Sequence, residues 1–287
     1  MEQQIVTISS KSAGGDQILK MFKTRHAVIG VIHCPAFPGS PRYDGRSMDA
    51  LIETALKDAR AYAEGGVDGL IVENHGDVPF LRPADIGHET TAFITATTRA
   101  VIAETGLPTG INILANAPIP ALAAASASGA LFIRVNQWAN AYVSNEGLLD
   151  GEAALAMRYR RQIAADNVAI FADSHVKHGA HAITADRTIE ELTRDLEFFD
   201  ADVVIATGQR TGDAVTDTEL ATVTGATGLP VVVGSGVTRD NLDRILMQCR
   251  GVIVGSSLKA GSVWWNEVET DRVSAFMDRA RELRDGA

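Results

Sequence analysis

The stretch VVVGSGVTRDN (231–241), followed closely by GVIVGSSLKAG (251–261), decides the fold. Each is a β-branched run that breaks into glycine and serine just where a helix could start. Uninterrupted apolar runs of this kind mark strands buried on both faces, as in parallel sheets. The same unit recurs along the chain. AVIGVIH (27–33), DGLIVEN (68–74), LPTGINILAN (107–116), ALFIRVNQ (130–137), NVAIFADS (167–174) and ADVVIATG (201–208) read as the earlier strands. Between them lie segments with apolar residues at three- and four-residue intervals: 48–66, 90–106, 118–129, 150–166, 188–200 and 216–228. Helices over 238–248 and 268–284 follow the last two strands. Eight strand–helix units in 287 residues predict a single (β/α)8 TIM barrel over 27–287. A doubly wound open sheet would need fewer strands or a second domain. Residues 1–26 read as a polar N-terminal extension, a cap under the barrel.

Composition narrows the function classes. With 46% hydrophobic residues the chain can bury a large core, yet no run approaches the roughly 20 apolar residues of a membrane span. The first residues lack the basic and apolar regions of a secretory signal. Two cysteines, Cys34 and Cys249, make no disulfide framework and no cysteine-based zinc site. These features predict a reduced, cytoplasmic protein without a transmembrane segment. A net charge of −10 with scattered Lys and Arg argues against nucleic acid as a partner. Barrels of this size often pair, so a homo-oligomer is compatible with the chain, although no interface is legible.

The repeated Gly/Ser corner falls at the seventh and eighth strands of the barrel, where many such barrels bind phosphate. Glycine lets backbone N–H groups approach an anion closely, and a helix start adds positive dipole. Gly234, Ser235 and Gly236 are expected to form one half of a phosphate cup, and Gly255, Ser256 and Ser257 the other. Thr207 and Gly208, ending the sixth strand, would close its side. Read as structure alone, the same residues would be tight turns.

In this fold chemistry sits at the C-terminal ends of the strands. Those ends carry His33, Glu73 with Asn74, Asn112, Arg134 with Asn136, and Asp173. If the fifth strand runs past Ser174, alternation places Asp173, His175 and Lys177 on one side. These three with Glu73 and His33 form the expected catalytic set. Asn74, Asn112, Arg134 and Asn136 are expected to bind substrate, and Lys177 would be suited to a Schiff base. Glu73, His33 and Asp173 would also suit a divalent metal, but no HxH or HExxH spacing supports one and no cofactor is required. Cys34 reads as a buried thiol rather than a nucleophile. Trp138 is expected to face substrate, and Trp264 and Trp265 to pack the last helix.

Taken together, GGVDGLIVENHGDVPF, FIRVNQW, IFADSHVKHGAH, VVIATGQRTGD and the two corners resemble the BtpA/SgcQ family. VIHCPAFPGSPRY is similar to that family's first-strand signature, departing at Cys34 and at Ala36–Phe37. The resemblance runs from about residue 27 to the end. It implies a TIM barrel of the ribulose-phosphate-binding type and carries over His33, Glu73, Asn74, Asp77, Asn112, Arg134, Asn136, Asp173, Lys177 and His178. Thr207, Gly208, Thr211, Gly212 and the corners follow. Their chemical roles are inferred from residue type and position. The expected function is an enzyme acting on a small phosphorylated sugar or ribose-phosphate metabolite, by isomerase, aldolase-type lyase or nucleosidase chemistry. The alternatives are a non-catalytic assembly or stability factor, a role for which one family member is named, and a phosphometabolite sensor.

Overall fold

The computed structural model describes residues 16–176, 179–208 and 214–285. The expected roles of Lys177, His178, Thr211 and Gly212 fall outside these residues. After a short helix α1 (Gln17–Phe22), the chain alternates β1 (Ala27–His33), α2 (Met48–Gly65), β2 (Gly69–Glu73), α3 (His88–Thr105), β3 (Thr109–Asn112), α4 (Pro118–Ser128) and β4 (Phe132–Val135). A hairpin, β5 (Ala141–Ser144) and β6 (Gly147–Asp150), is inserted before α5 (Ala153–Gln162). The alternation resumes with β7 (Ala169–Asp173), α6 (Ile189–Phe198), β8 (Val203–Thr207), α7 (Asp217–Ala226), β9 (Val231–Gly234), α8 (Leu242–Leu246), β10 (Gly251–Val254) and α9 (Thr270–Asp285). The sheet closes in the order β1-β10-β9-β8-β7-β4-β3-β2, so the chain is a (β/α)8 barrel.

The apolar runs divide by parity. Inward positions such as Ile29, Val31, Ile71, Phe132, Phe171, Ile205 and Ile253 fill the barrel, with Phe132 and Phe171 stacked at 4.3 Å. Outward positions such as Val28, Ile32, Val72, Ile133, Val204 and Val252 join the helices in a second layer. Both faces of each strand are therefore dry, which is why the strands show no polar alternation. The starts of α6 and α7 are set by side-chain caps: Thr188 and Thr216 each form a reciprocal capping box with the glutamate three residues on.

Three features depart from the sequence reading. α1 lies within the polar lead-in: Asp16 caps its start, and Ile18 and Phe22 enter the barrel interior, Phe22 meeting Phe132 edge-on at 6.0 Å. The connection between the strand over 130–137 and the helix over 150–166 contains the β5–β6 hairpin, whose second strand takes Asp150 from the expected helix. The helix expected over 238–248 shrinks to Leu242–Leu246. There the Asn241 side chain accepts from Thr238 N and donates to the Gly236 carbonyl, turning the backbone before the helix begins.

A buried ion pair locks the segment after β10 to the barrel's helical layer. Lys259 Nζ donates to Asp58 Oδ2 of α2 at 2.6 Å and to the Asn266 carbonyl at 3.0 Å. The other Asp58 oxygen accepts from Val268 N at 2.9 Å. Lys259 is 1% and Asp58 7% exposed, so removing one partner strands a buried charge. Replacing Lys259 by Met should lower unfolding stability by about 3–5 kcal/mol in urea titrations; a loss under about 1 kcal/mol would show that the pair holds nothing. Cys34 and Cys249 are both buried, and burial pushes the Cys34 thiol up and the Cys249 thiol up to about 12. Both should resist iodoacetamide at pH 8 in the folded protein and react after denaturation, as read by mass spectrometry.

Candidate active site at the C-terminal mouth of the barrel

Parallel pairing makes the C-terminal ends of four neighbouring strands level. His33 pairs with Glu73, Glu73 with Asn112, and Asn112 with Arg134. All four stand on the inward parity, one step above the apolar interior, and all line a cavity of about 630 Å3. Asn136, two residues beyond Arg134, lines it as well.

Glu73 is the hub. Its Oε1 lies 2.7 Å from His75 Nδ1, its Oε2 accepts from Asn112 Nδ2 at 2.7 Å, and His33 Nε2 stands 4.0 Å from Oε1. Burial opposes ionisation of this carboxyl, but the His75 hydrogen bond and the neighbouring positive groups outweigh it and hold it well below the usual carboxylate range. His33 takes the opposite course. Burial lowers its imidazole to about 3 despite the attraction of Glu73, so at neutral pH the ring is uncharged. Its Nδ1 meets the Trp264 carbonyl at 3.1 Å, which fixes the ring's orientation.

Asp173, expected to share the acid/base work, is engaged by Arg134 and Asn136 instead of facing the cavity. It sits beneath the cavity, 3% exposed, with Oδ1 accepting from Arg134 Nε at 3.1 Å and Oδ2 from Arg134 NH2 at 3.0 Å. Asn136 Nδ2 adds a third bond at 3.3 Å. The carboxylate anchors Arg134, whose own pKa is pulled down by burial but raised on balance by Asp173. β7 ends at Asp173, so the alternation that would carry His175 to the same side stops there. His175 instead stacks on His181 at 3.8 Å and does not line the cavity.

Asn74 is likewise redirected from substrate to structure. Its side chain accepts from Leu114 N at 2.8 Å and donates to Asp77 at 3.0 Å, while Asp77 accepts from Phe37 N at 2.7 Å. These bonds stitch the loops after β1, β2 and β3 together. Thr207 spends its hydroxyl on the His175 carbonyl at 2.7 Å. Among the described residues that line the cavity, neither Thr207 nor Gly208, expected to close the cup's side, nor Gly234 of the first corner is found.

The two corners do reach it, through Ser235, Gly236, Gly255, Ser256 and Ser257. Ser235 and Gly236 adopt φ of +87° and +66°, which turns the chain tightly after β9. Ser257 Oγ donates to the Val237 carbonyl at 2.8 Å and ties the second corner to the first. A Cβ at Gly255 would stand 3.0 Å from His33 Cε1, so glycine there lets the corner abut the imidazole.

Three contributors escaped the sequence reading. His75 follows Glu73 by two residues, and its role is visible only once the loop folds back. Trp264, expected to pack the last helix, lines the cavity and stands edge-on to His75 at 4.3 Å. Trp138, expected to face substrate, is fully buried and donates Nε1–H to the Phe199 carbonyl at 2.9 Å. The hairpin supplies Tyr142, Ser144, Asn145 and Glu146 to the cavity wall.

Comparison with known proteins places this architecture. The BtpA family model matches residues 24–282. A Synechocystis protein, Photosystem I biogenesis protein BtpA, is 40% identical over 271 residues, covering 92% of this chain and 91% of its own length. A Caenorhabditis elegans protein, uncharacterized protein F13E9.13, mitochondrial, is 38% identical over 265 residues, covering 91% of this chain and 95% of its own. Among solved structures, N-(5'-phosphoribosyl)anthranilate isomerase from Pyrococcus furiosus superposes with a TM-score of 0.53 at 16% identity, covering 90% of this chain and 99% of that one; it shares the fold. No helix among the described residues is long and apolar enough to cross a membrane. The family model and the relatives matched over nine-tenths of the chain agree: the protein belongs to the BtpA family.

Proposed function

We propose that the protein is an enzyme acting on a small phosphorylated sugar or a ribose-phosphate-containing metabolite. One observation carries the reading: a single cavity joins the Ser/Gly corners of β9 and β10 to the Glu73–His75 pair and His33. The corners offer backbone N–H groups and the Ser256 hydroxyl to a phosphate, as the same loops do in many barrels of this architecture. Glu73 orients His75, and an imidazole held by a carboxylate is suited to moving a proton. Arg134, held in place by Asp173, lines the cavity as a hydrogen-bond donor for the substrate. Among the described residues, Asn112 Oδ1 and Asn136 Oδ1 are buried without a hydrogen-bond partner. Both belong to cavity-lining residues, and hydroxyl groups of a sugar are the donors that would satisfy them.

This set favours proton abstraction from a carbon next to a carbonyl, the step shared by sugar isomerisation and aldol cleavage. Glycosidic cleavage by two carboxylates is less suited, because Asp173 is saturated by Arg134 and Asn136. A sensor would use the same cup and would leave the proton pair idle. A non-catalytic assembly role, the alternative suggested by the name of the Synechocystis Photosystem I biogenesis protein BtpA, has no use for either.

Thermal melting against pentose and hexose phosphates, nucleoside monophosphates and inorganic phosphate tests the cup. A ligand at 100 times its Kd adds about 2.7 kcal/mol, and Ser256→Asp should abolish the shift by placing a carboxylate in the corner. No shift with any compound would remove the phosphate reading. Proton transfer is tested by NMR of the stabilising compound in D2O. Deuterium should enter a carbon-bound position in the presence of the wild-type protein, and Glu73→Gln should slow this by roughly 10²–10⁴-fold. A stabilising ligand that never exchanges, in any mixture, would leave the sensor in place of the enzyme.

A further inference from the structure

We propose that His33, Glu73 and His75 form a binding site for a first-row divalent transition-metal ion, of which Zn2+ is the natural probe. The site goes beyond the phosphate reading and does not rest on it. One nitrogen from each histidine and one carboxylate oxygen all lie within 4.8 Å of one another. The trio differs from the sequence-derived set of His33, Glu73 and Asp173, since Arg134 occupies Asp173 and a two-residue spacing supplies His75 instead.

The orienting contacts of a metal site are already made. A carbonyl oxygen can only accept, so the 3.1 Å contact with Trp264 puts the hydrogen of His33 on Nδ1 and offers Nε2 to Glu73. Nε2 and the carboxylate Oε1 then stand 4.0 Å apart at the cavity wall, an imidazole nitrogen and a carboxylate oxygen of the kinds that ligate first-row ions. The second carboxylate oxygen is fixed by Asn112 at 2.7 Å, as ligating carboxylates generally are. Arg134 does not cancel the attraction, because its charge is met by Asp173 in a two-bond pair.

Ligand atoms around a first-row ion stand about 3.0–3.5 Å apart for bonds of about 2.0–2.1 Å. His33 and Glu73 sit at adjacent strand ends, and their gap needs to close by only about half an ångström to about one ångström on that basis. His75 lies in the loop after β2, its ring edge-on to Trp264 at 4.3 Å; its Nδ1, 2.7 Å from Glu73 Oε1, would exchange that hydrogen bond for the ion and release its proton to solvent. Two imidazoles and one carboxylate select a zinc-like ion over Mg2+ or Ca2+, which prefer all-oxygen ligands. All three residues line the cavity, so the remaining coordination positions face the space for a ligand, as in catalytic rather than structural sites. When bound, such an ion would polarise a carbonyl or hydroxyl oxygen of the substrate.

The test is isothermal titration of tag-free, chelator-dialysed protein with Zn2+ and with Mg2+, alongside elemental analysis after equilibrium dialysis. The expected result is about one Zn2+ per chain and no Mg2+ binding at the same concentrations. Glu73→Gln and His75→Ala should each weaken Zn2+ binding by about 100-fold or more, while a Cys34→Ser/Cys249→Ser variant binds as the wild type does. Circular dichroism melts confirm folding, and His75→Gln replaces any variant that fails to fold. Zn2+ binding that survives both ligand substitutions, or its absence from the folded wild type, overturns the site. The phosphate reading is judged separately, by the phosphosugar shift and its loss in Ser256→Asp.

Discussion

Parallel hydrogen bonding that closes β1 onto both β2 and β10 constrains everything else in this molecule. Closure fixes which residues are level, and the two-residue repeat of a strand fixes which of them face the axis. His33, Glu73, Asn112 and Arg134 are forced into one tier by that register, directly above a tier of packed apolar side chains. Polar groups at such a depth must be satisfied by one another or by a ligand. Arg134 with Asp173, and Glu73 with Asn112 and His75, are how most of that demand is met. The unpartnered amide oxygens of Asn112 and Asn136 are what remains.

The rest of the mouth is arranged around this tier by bonds that lie outside it. Lys259 and Asp58 pin the segment after β10 against α2, and that segment brings Trp264 to the cavity, where its carbonyl orients His33. Asn74 and Asp77 hold the loops after the first three strands in mutual register. Ser257 bridges the two Gly/Ser corners. The loops that form the cavity are thus held by buried polar contacts together with a small apolar cluster of Ala115, Tyr142, Leu149 and Val176, against which Phe80 packs.

Much of this was legible beforehand. The eight apolar runs and their helical partners required no tertiary information, because a strand buried on both faces writes its burial directly as continuous β-branched sequence. The residues at the strand ends were legible for the same reason: their position in the repeat assigns them to the mouth. His33, Glu73, Asn112, Arg134 and Asn136 were placed at the mouth this way, as were Ser235, Gly236, Gly255, Ser256 and Ser257 of the corners. Asp173 was placed at a strand end too, but its partner was not legible, since a strand-end carboxylate looks the same whether it meets a substrate or a guanidinium. His175 was misplaced because alternation holds only while the strand continues, and nothing local announces that β7 stops at Asp173.

The chain by itself determined the barrel, the end of it that carries the polar residues, and the family to which it belongs. These depend on periodicity and on ordered motifs, both of which are properties of neighbours along the sequence. Only the tertiary structure decided which polar residues face one another. Arg134 and Asp173 lie 39 residues apart, His33 and Trp264 231, and Asp58 and Lys259 201. Their pairing follows from closing the sheet and packing helices around it, a constraint on distance in space that no local pattern encodes.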